Sequence, residues 1–185
     1  MNKAIVGQAT KRLAAAQKKA SGLANARNPE EIEELWSEFL TEHTRFFNRL
    51  GHAMDSAAER ERWAKLTADR AANPLTAYLM QARNADEHGR ALITTRAGNL
   101  SAGAPGESVA IDNLVIENGV IKQVSIRPAN PGEQIHIRFS PSEVFPVAVT
   151  NRGVTYRIPD TMTVVELARY GIQHLQSVLS AATAD

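Results

Sequence analysis

Residues 98–127 read GNLSAGAPGESVAIDNLVIENGVIKQVSIR, and this stretch decides the fold class. Its first nine residues hold three glycines and one proline, a composition that ends helical order. From Val109 the period of the apolar residues changes to two, and Val109 to Glu117 and Val120 to Arg127 flank Asn118-Gly119. Asn-Gly tolerates the positive φ of a tight turn, so the pair predicts a β-hairpin. Further along, Ile135, Ile137 and Phe139 alternate with His136 and Arg138; Phe145, Val147 and Val149 alternate again. Val154, Tyr156 and Ile158 follow an Asn151-Arg152-Gly153 turn. The expectation for residues 98–159 is an antiparallel β subdomain with a small sheet of four or five strands.

Before Gly98 the punctuation is sparse and the period is helical. Ile5, Ala9, Leu13, Ala16, Ala20 and Leu23 form a narrow, alanine-rich seam. Asn28-Pro29-Glu30-Glu31 starts a second helix: Asn caps, Pro fits the first turn and the acids favour the positive end. Its stripe is Ile32, Leu35, Trp36, Phe39, Leu40, Phe46, Phe47 and Leu50. Ser56 and Glu59 have capping-box spacing and open a third helix with Trp63 and Leu66 inward. Asn73-Pro74 starts a fourth, with Leu75, Tyr78, Leu79, Ala82, Ala85 and Gly89 inward.

Thr163 to Glu166 caps a last helix whose Val164, Leu167, Ala168, Leu175, Val178 and Leu179 must be buried on the bundle or the sheet. The fold class is therefore α+β: an antiparallel bundle of about four helices over 1–97, the β subdomain, and a C-terminal helix over 160–185.

Composition narrows the function. At 185 residues, with 43% hydrophobic and 22% charged residues, the chain suits one domain or a domain with an appendage. With no cysteine it has no disulfide, thiolate metal site or cysteine nucleophile, which fits a reducing, cytoplasmic setting. No apolar run reaches the ~18 residues of a membrane span, and charges interrupt the start where a signal peptide needs an unbroken apolar stretch, so the expectation is a soluble, unprocessed protein.

The nucleotide and hydrolase signatures G-x-x-x-x-G-K-[ST], G-x-G-x-x-G and G-x-S-x-G are missing from the sequence. His43 and His52 lack chelate spacing, and Glu38 and Glu42 have no Glu-x-x-His partner, so neither a metal nor another cofactor is expected.

Arg83-Asn84-Ala85-Asp86-Glu87-His88, at the end of the fourth helix, carries the most chemistry. An arginine that holds a phosphate and a histidine that moves a proton near neutral pH are the minimum for cleaving RNA without metal. The imidazole would deprotonate a ribose 2′-hydroxyl or protonate the leaving oxygen, and the guanidinium would stabilise charge on the phosphorane. At about 100° per residue, Arg83 and His88 lie about 140° apart on a straight helix, so a kink or a two-fold copy must complete any site. The same residues supply the i, i+4 pairs Arg83–Glu87 and Asp86–Arg90, which is all that a solvated helix face needs.

With this R-x4-H motif on a late helix of a bundle, the chain resembles the HEPN superfamily over about its first 97 residues. The resemblance implies a metal-independent endoribonuclease of toxin or defence type, homodimeric, with Arg83 and His88 catalytic and Asn84 in support. It also implies RNA as substrate and a protein partner such as an antitoxin. Where many toxins of the family carry Tyr two residues after the His, this chain has Arg90.

The net charge of +1 conceals a segregation. Residues 1–27 contain Lys3, Lys11, Arg12, Lys18, Lys19 and Arg27 with no acid; residues 28–42 contain Glu30, Glu31, Glu33, Glu34, Glu38 and Glu42 with no base. Either Lys11, Arg12, Lys18 and Lys19 track an RNA backbone, or the two helices face each other with opposite charges. No aromatic residue interleaves the basic ones, so no stacking platform for single strands is present. The rival expectation is a non-catalytic dimerisation or binding protein whose β subdomain meets a protein or small ligand, for instance along Ile135 to Phe139.

Overall fold

The computed structural model describes residues 1–26, 29–87, 94–96, 101–102, 109–117, 120–130, 137–138 and 144–184. Among the described residues five helices carry the core. Helix α1 (Lys3–Asn25) starts where the Asn2 side chain accepts from the amides of Ala4 and Ile5, and it buries Ala9, Leu13, Ala16 and Leu23. Helix α2 (Pro29–Gly51) runs antiparallel to it, as the pairs Arg12–Glu42 and Lys19–Glu38 require. Helix α3 (Ala57–Ala72) opens on the capping box Ser56–Glu59. Helix α4 (Pro74–Glu87) opens on the Asn73 side chain, which accepts from the amides of Leu75 and Thr76. Helix α5 (Val164–Thr183) opens on the capping box Thr163–Glu166 and packs on the bundle.

The centre of the core is an aromatic spine on α2. Trp36, Phe39, His43 and Phe47 follow one another at spacings of three, four and four, with ring centroids 5.5, 6.0 and 5.4 Å apart. Trp63 of α3 and His174 of α5 meet Phe47 at 5.9 and 5.8 Å. Gly171 lets α5 close on this spine: a Cβ there would come within 2.9 Å of Phe39 Cζ and 3.1 Å of a Leu79 methyl group. Each large apolar side chain withdrawn from water here stabilises the fold by roughly 1.5–3 kcal/mol.

The β part differs from the expected sheet. Among the described residues the strands pair only two by two: β1 (Thr94–Arg96) with β6 (Val144–Pro146), β2 (Ser101–Ala102) with β5 (Ile137–Arg138), β3 (Val109–Glu117) with β4 (Val120–Pro128), and β7 (Val149–Asn151) with β8 (Val154–Tyr156). The first three pairs nest in antiparallel order, with shifts of register between them: Thr94 faces Pro146, Ala102 faces Ile137, Val109 faces Pro128 and Glu117 faces Val120. This is a fold-back around the Asn118-Gly119 signal, which itself lies outside the described residues.

Two register shifts interrupt β3–β4, the first leaving Asp112 as an extra residue between the pairs Ile111–Ile126 and Asn113–Ser125. Strand pairing begins at Thr94, four residues ahead of the expected boundary at 98. The Arg152-Gly153 turn has φ values of 49° and 80°, as a tight hairpin needs.

Candidate functional site at the end of α4

The last two turns of α4 place Arg83 and Asn84 half-buried, against the β7–β8 hairpin rather than on a bare helix face. Arg83 donates to Asn84 Oδ1 at 3.4 Å, and Asn84 Nδ2 donates to Gln81 Oε1 at 3.5 Å. The same Gln81 oxygen, buried, accepts from Asn151 Nδ2 of β7 at 2.6 Å. One turn earlier the Tyr78 hydroxyl donates to Val147 O at 2.9 Å, and burial pushes its phenol above the ordinary value. A polar seam therefore runs Arg83, Asn84, Gln81, Asn151 and fixes α4 to the chain that returns from the ribbon.

The crevice in this seam, lined by Gln81, Asn84, Ala85, Thr150 and Asn151, has a volume of about 10 Å³, room for one water at most. Among the described residues the seam holds Arg83 and Asn84 of the motif, and this crevice has no room for a nucleotide. Ser37 of α2 donates to Asp86, so this acid is turned toward the bundle. His88 and Arg90 lie outside the described residues.

Comparison of the chain finds no matching family model, no matching curated protein and no matching solved structure.

The other predicted residues fall apart from the seam. Arg12 bonds Glu42 at 3.2 Å, and Lys19 bonds Glu38 at 2.6 Å. The basic and acidic helices thus face each other along part of their length. Lys11 and Lys18 are exposed on α1. Among the described residues no group of His, Asp and Glu is placed to hold a metal, and no helix is long and apolar enough to cross a membrane.

Sequence reading missed a buried polar cluster around Phe47. His43 is fully buried with both ring nitrogens unbonded, and burial first, then Arg70 and His174, hold its pKa well below the ordinary 6.5. The Arg70 guanidinium sits 3.7 Å over the Phe47 ring, and burial lowers its pKa to about 10. His174 also stacks on Phe47, and burial first, then Arg70, lower its pKa too. The available signal for His43 was its i, i+4 spacing from both Phe39 and Phe47.

Proposed function

We propose that the chain is a HEPN-like RNA-binding protein that cleaves RNA without metal, Arg83 and His88 acting across a homodimer with Asn84 in support. The observation that carries this reading is the seam. Arg83 and Asn84 are half-buried and tied through Gln81 to Asn151, an arrangement that pre-positions the arginine side of the motif. Asp86 bonds α2 through Ser37, so one half of the solvated-face explanation loses its acid.

In this chemistry His88 moves the proton between the ribose 2′-hydroxyl and the leaving oxygen, and Arg83 neutralises the phosphorane. The crevice is too small for a nucleotide, so the substrate enters from the side where a second copy's α4 would lie. A cysteine-free chain of this kind suits the cytoplasm, and a partner antitoxin would cover the same side.

The test is RNA cleavage in EDTA by wild type, Arg83→Ala and His88→Ala. Each substitution is expected to lower the rate by about a hundredfold or more; equal rates in all three would overturn the reading.

The ribbon favours a second reading, that of a non-catalytic binding protein. Ile111 and Leu114 on β3 are 59% and 44% exposed, and a two-stranded ribbon gains stability by being covered. Cleavage absent from wild type, together with retention of a protein partner that Leu114→Lys abolishes, would decide for it.

A further inference from the structure

Arg45, Asn48, Arg49 and His52 stand at i, i+3, i+4 and i+7 along the C-terminal half of α2 and just past its end. That spacing stacks them on one side of the helix, and α1 brings Arg12 across to them. Together the five line a groove of about 500 Å³, within the range of roughly 300–1,000 Å³ usual for ligand sites. No aliphatic or acidic side chain is among these five, and His52 supplies the one aromatic ring.

Glu42, buried, bonds Arg45 at 2.8 Å and Arg12 at 3.2 Å. These pairs consume the carboxylate but leave most of the five N–H donors on each guanidinium for another acceptor. Arg49 is exposed and, among the described residues, has neither ion pair nor hydrogen bond. Three guanidinium charges less one carboxylate leave the groove two positive charges in excess.

Such a site selects its ligand by charge and fork geometry. Guanidinium groups pair two-pronged with phosphate oxygens, and the Asn48 amide adds one more donor. His52 offers a single ring to stack on while the other four side chains donate to phosphate oxygens, so the groove reads backbone charge rather than sequence. The negative end of the α2 dipole stabilises the Arg49 cation, which lies in the last turn.

We propose that this groove is a phosphate-binding site, taking the backbone phosphodiester of single-stranded RNA or the phosphate of a small phosphorylated ligand. It is separate from the α4 seam: Ser37, which meets Asp86, lies about 18 Å along α2 from Arg49. The proposal does not depend on the chemistry of Arg83 and His88.

The test uses the full chain, a fluorescein-labelled single-stranded RNA titrated at several salt concentrations, and inorganic pyrophosphate titrated by calorimetry. The variant is Arg45→Ala/Arg49→Ala, with Arg49→Ala alone as the milder form and Lys65→Ala on α3 as the control. Arg49→Ala, at an exposed side chain, is expected to leave the urea midpoint unchanged, whereas Arg45→Ala takes one partner from the buried Glu42 and lowers it, so binding by the double variant is measured well below its own midpoint.

If RNA supplies the phosphate, the double variant loses about tenfold or more in RNA affinity, and its salt slope falls by about one for each phosphate that is no longer neutralised. If a small ligand supplies it, pyrophosphate binding falls by a similar factor while RNA binding stays. Either result supports the site. Wild-type binding of both probes by the double variant, or no binding of either probe by wild type at about 50 mM salt, overturns it. Cleavage lost only in the Arg83 and His88 variants reports on α4, so the two proposals fail separately.

Discussion

The bundle and the ribbon are built from similarly apolar segments, yet they treat their side chains in opposite ways. On α2 Trp36, Phe39, Phe46 and Leu50 are completely buried, whereas on β3 Ile111 is 59% and Leu114 44% exposed. A helix with one apolar stripe finds partners in four other helices here, and the stripes close on one another. A two-stranded ribbon has two faces and two edges, and pairing its strands satisfies backbone hydrogen bonds without covering a face. Amphipathic helices thus complete a core within one chain, while period-two strands leave open what covers them.

The largest expected effect tests this contrast directly. Phe39→Ala should cost about 3–5 kcal/mol, because the spine and the close approach of Gly171 leave little room for collapse. Ile111→Ala should cost less than about 0.5 kcal/mol, because the side chain stays largely in water. Urea unfolding of both variants checks the pair, and equal losses would mean that the ribbon is covered in solution, as by a second copy.

Acidification should damage the bundle and spare the ribbon. His43 and His174 have pKa values lowered below 6.5 in the fold, so the unfolded chain takes up their protons first. Stability is intact above about pH 7 and declines as the pH falls through 6.5 toward the folded-state values. The urea midpoint should therefore drop between pH 7.5 and pH 5, and His43→Phe should flatten most of that slope. An unchanged slope in His43→Phe would place the sensitivity elsewhere.

The smallest pair compares one polar device from each region. Thr163→Ala removes the N-cap of α5, whose hydroxyl accepts from the Glu166 amide at 3.2 Å, and should cost about 1 kcal/mol. Arg127→Ala breaks the ribbon's 2.9 Å ion pair with Asp112, 60% and 44% exposed at its two side chains, and should stay within about 0.5 kcal/mol. Thermal midpoints of the two variants give the order.

Local chemistry was legible wherever neighbours in sequence carry it. The capping boxes Ser56–Glu59 and Thr163–Glu166 and the Asn151-Arg152-Gly153 turn involve residues at most three apart, so their hydrogen bonds and dihedral angles follow from short-range geometry. The stripe on α2 was legible for the same reason, since i, i+3 and i, i+4 define one face. The burial of Arg70 was not, because its place over Phe47 depends on how α3 crosses α2. Nor was the seam at Arg83 and Asn84, which needs Asn151 brought back 70 residues to Gln81.

By itself the sequence determined the five helices, the caps that open α3, α4 and α5, the Asn151-Arg152-Gly153 turn, and the segregation of charge between α1 and α2. These depend on backbone dihedral angles and on period, properties of a few consecutive residues. Only the tertiary structure decided that the strands pair as a nested ribbon, that Arg12 and Lys19 meet Glu42 and Glu38, and that Arg45 and Arg49 gather with Arg12 around one groove. Long-range pairing is chosen by packing many weak contacts at once, and no single segment carries that choice.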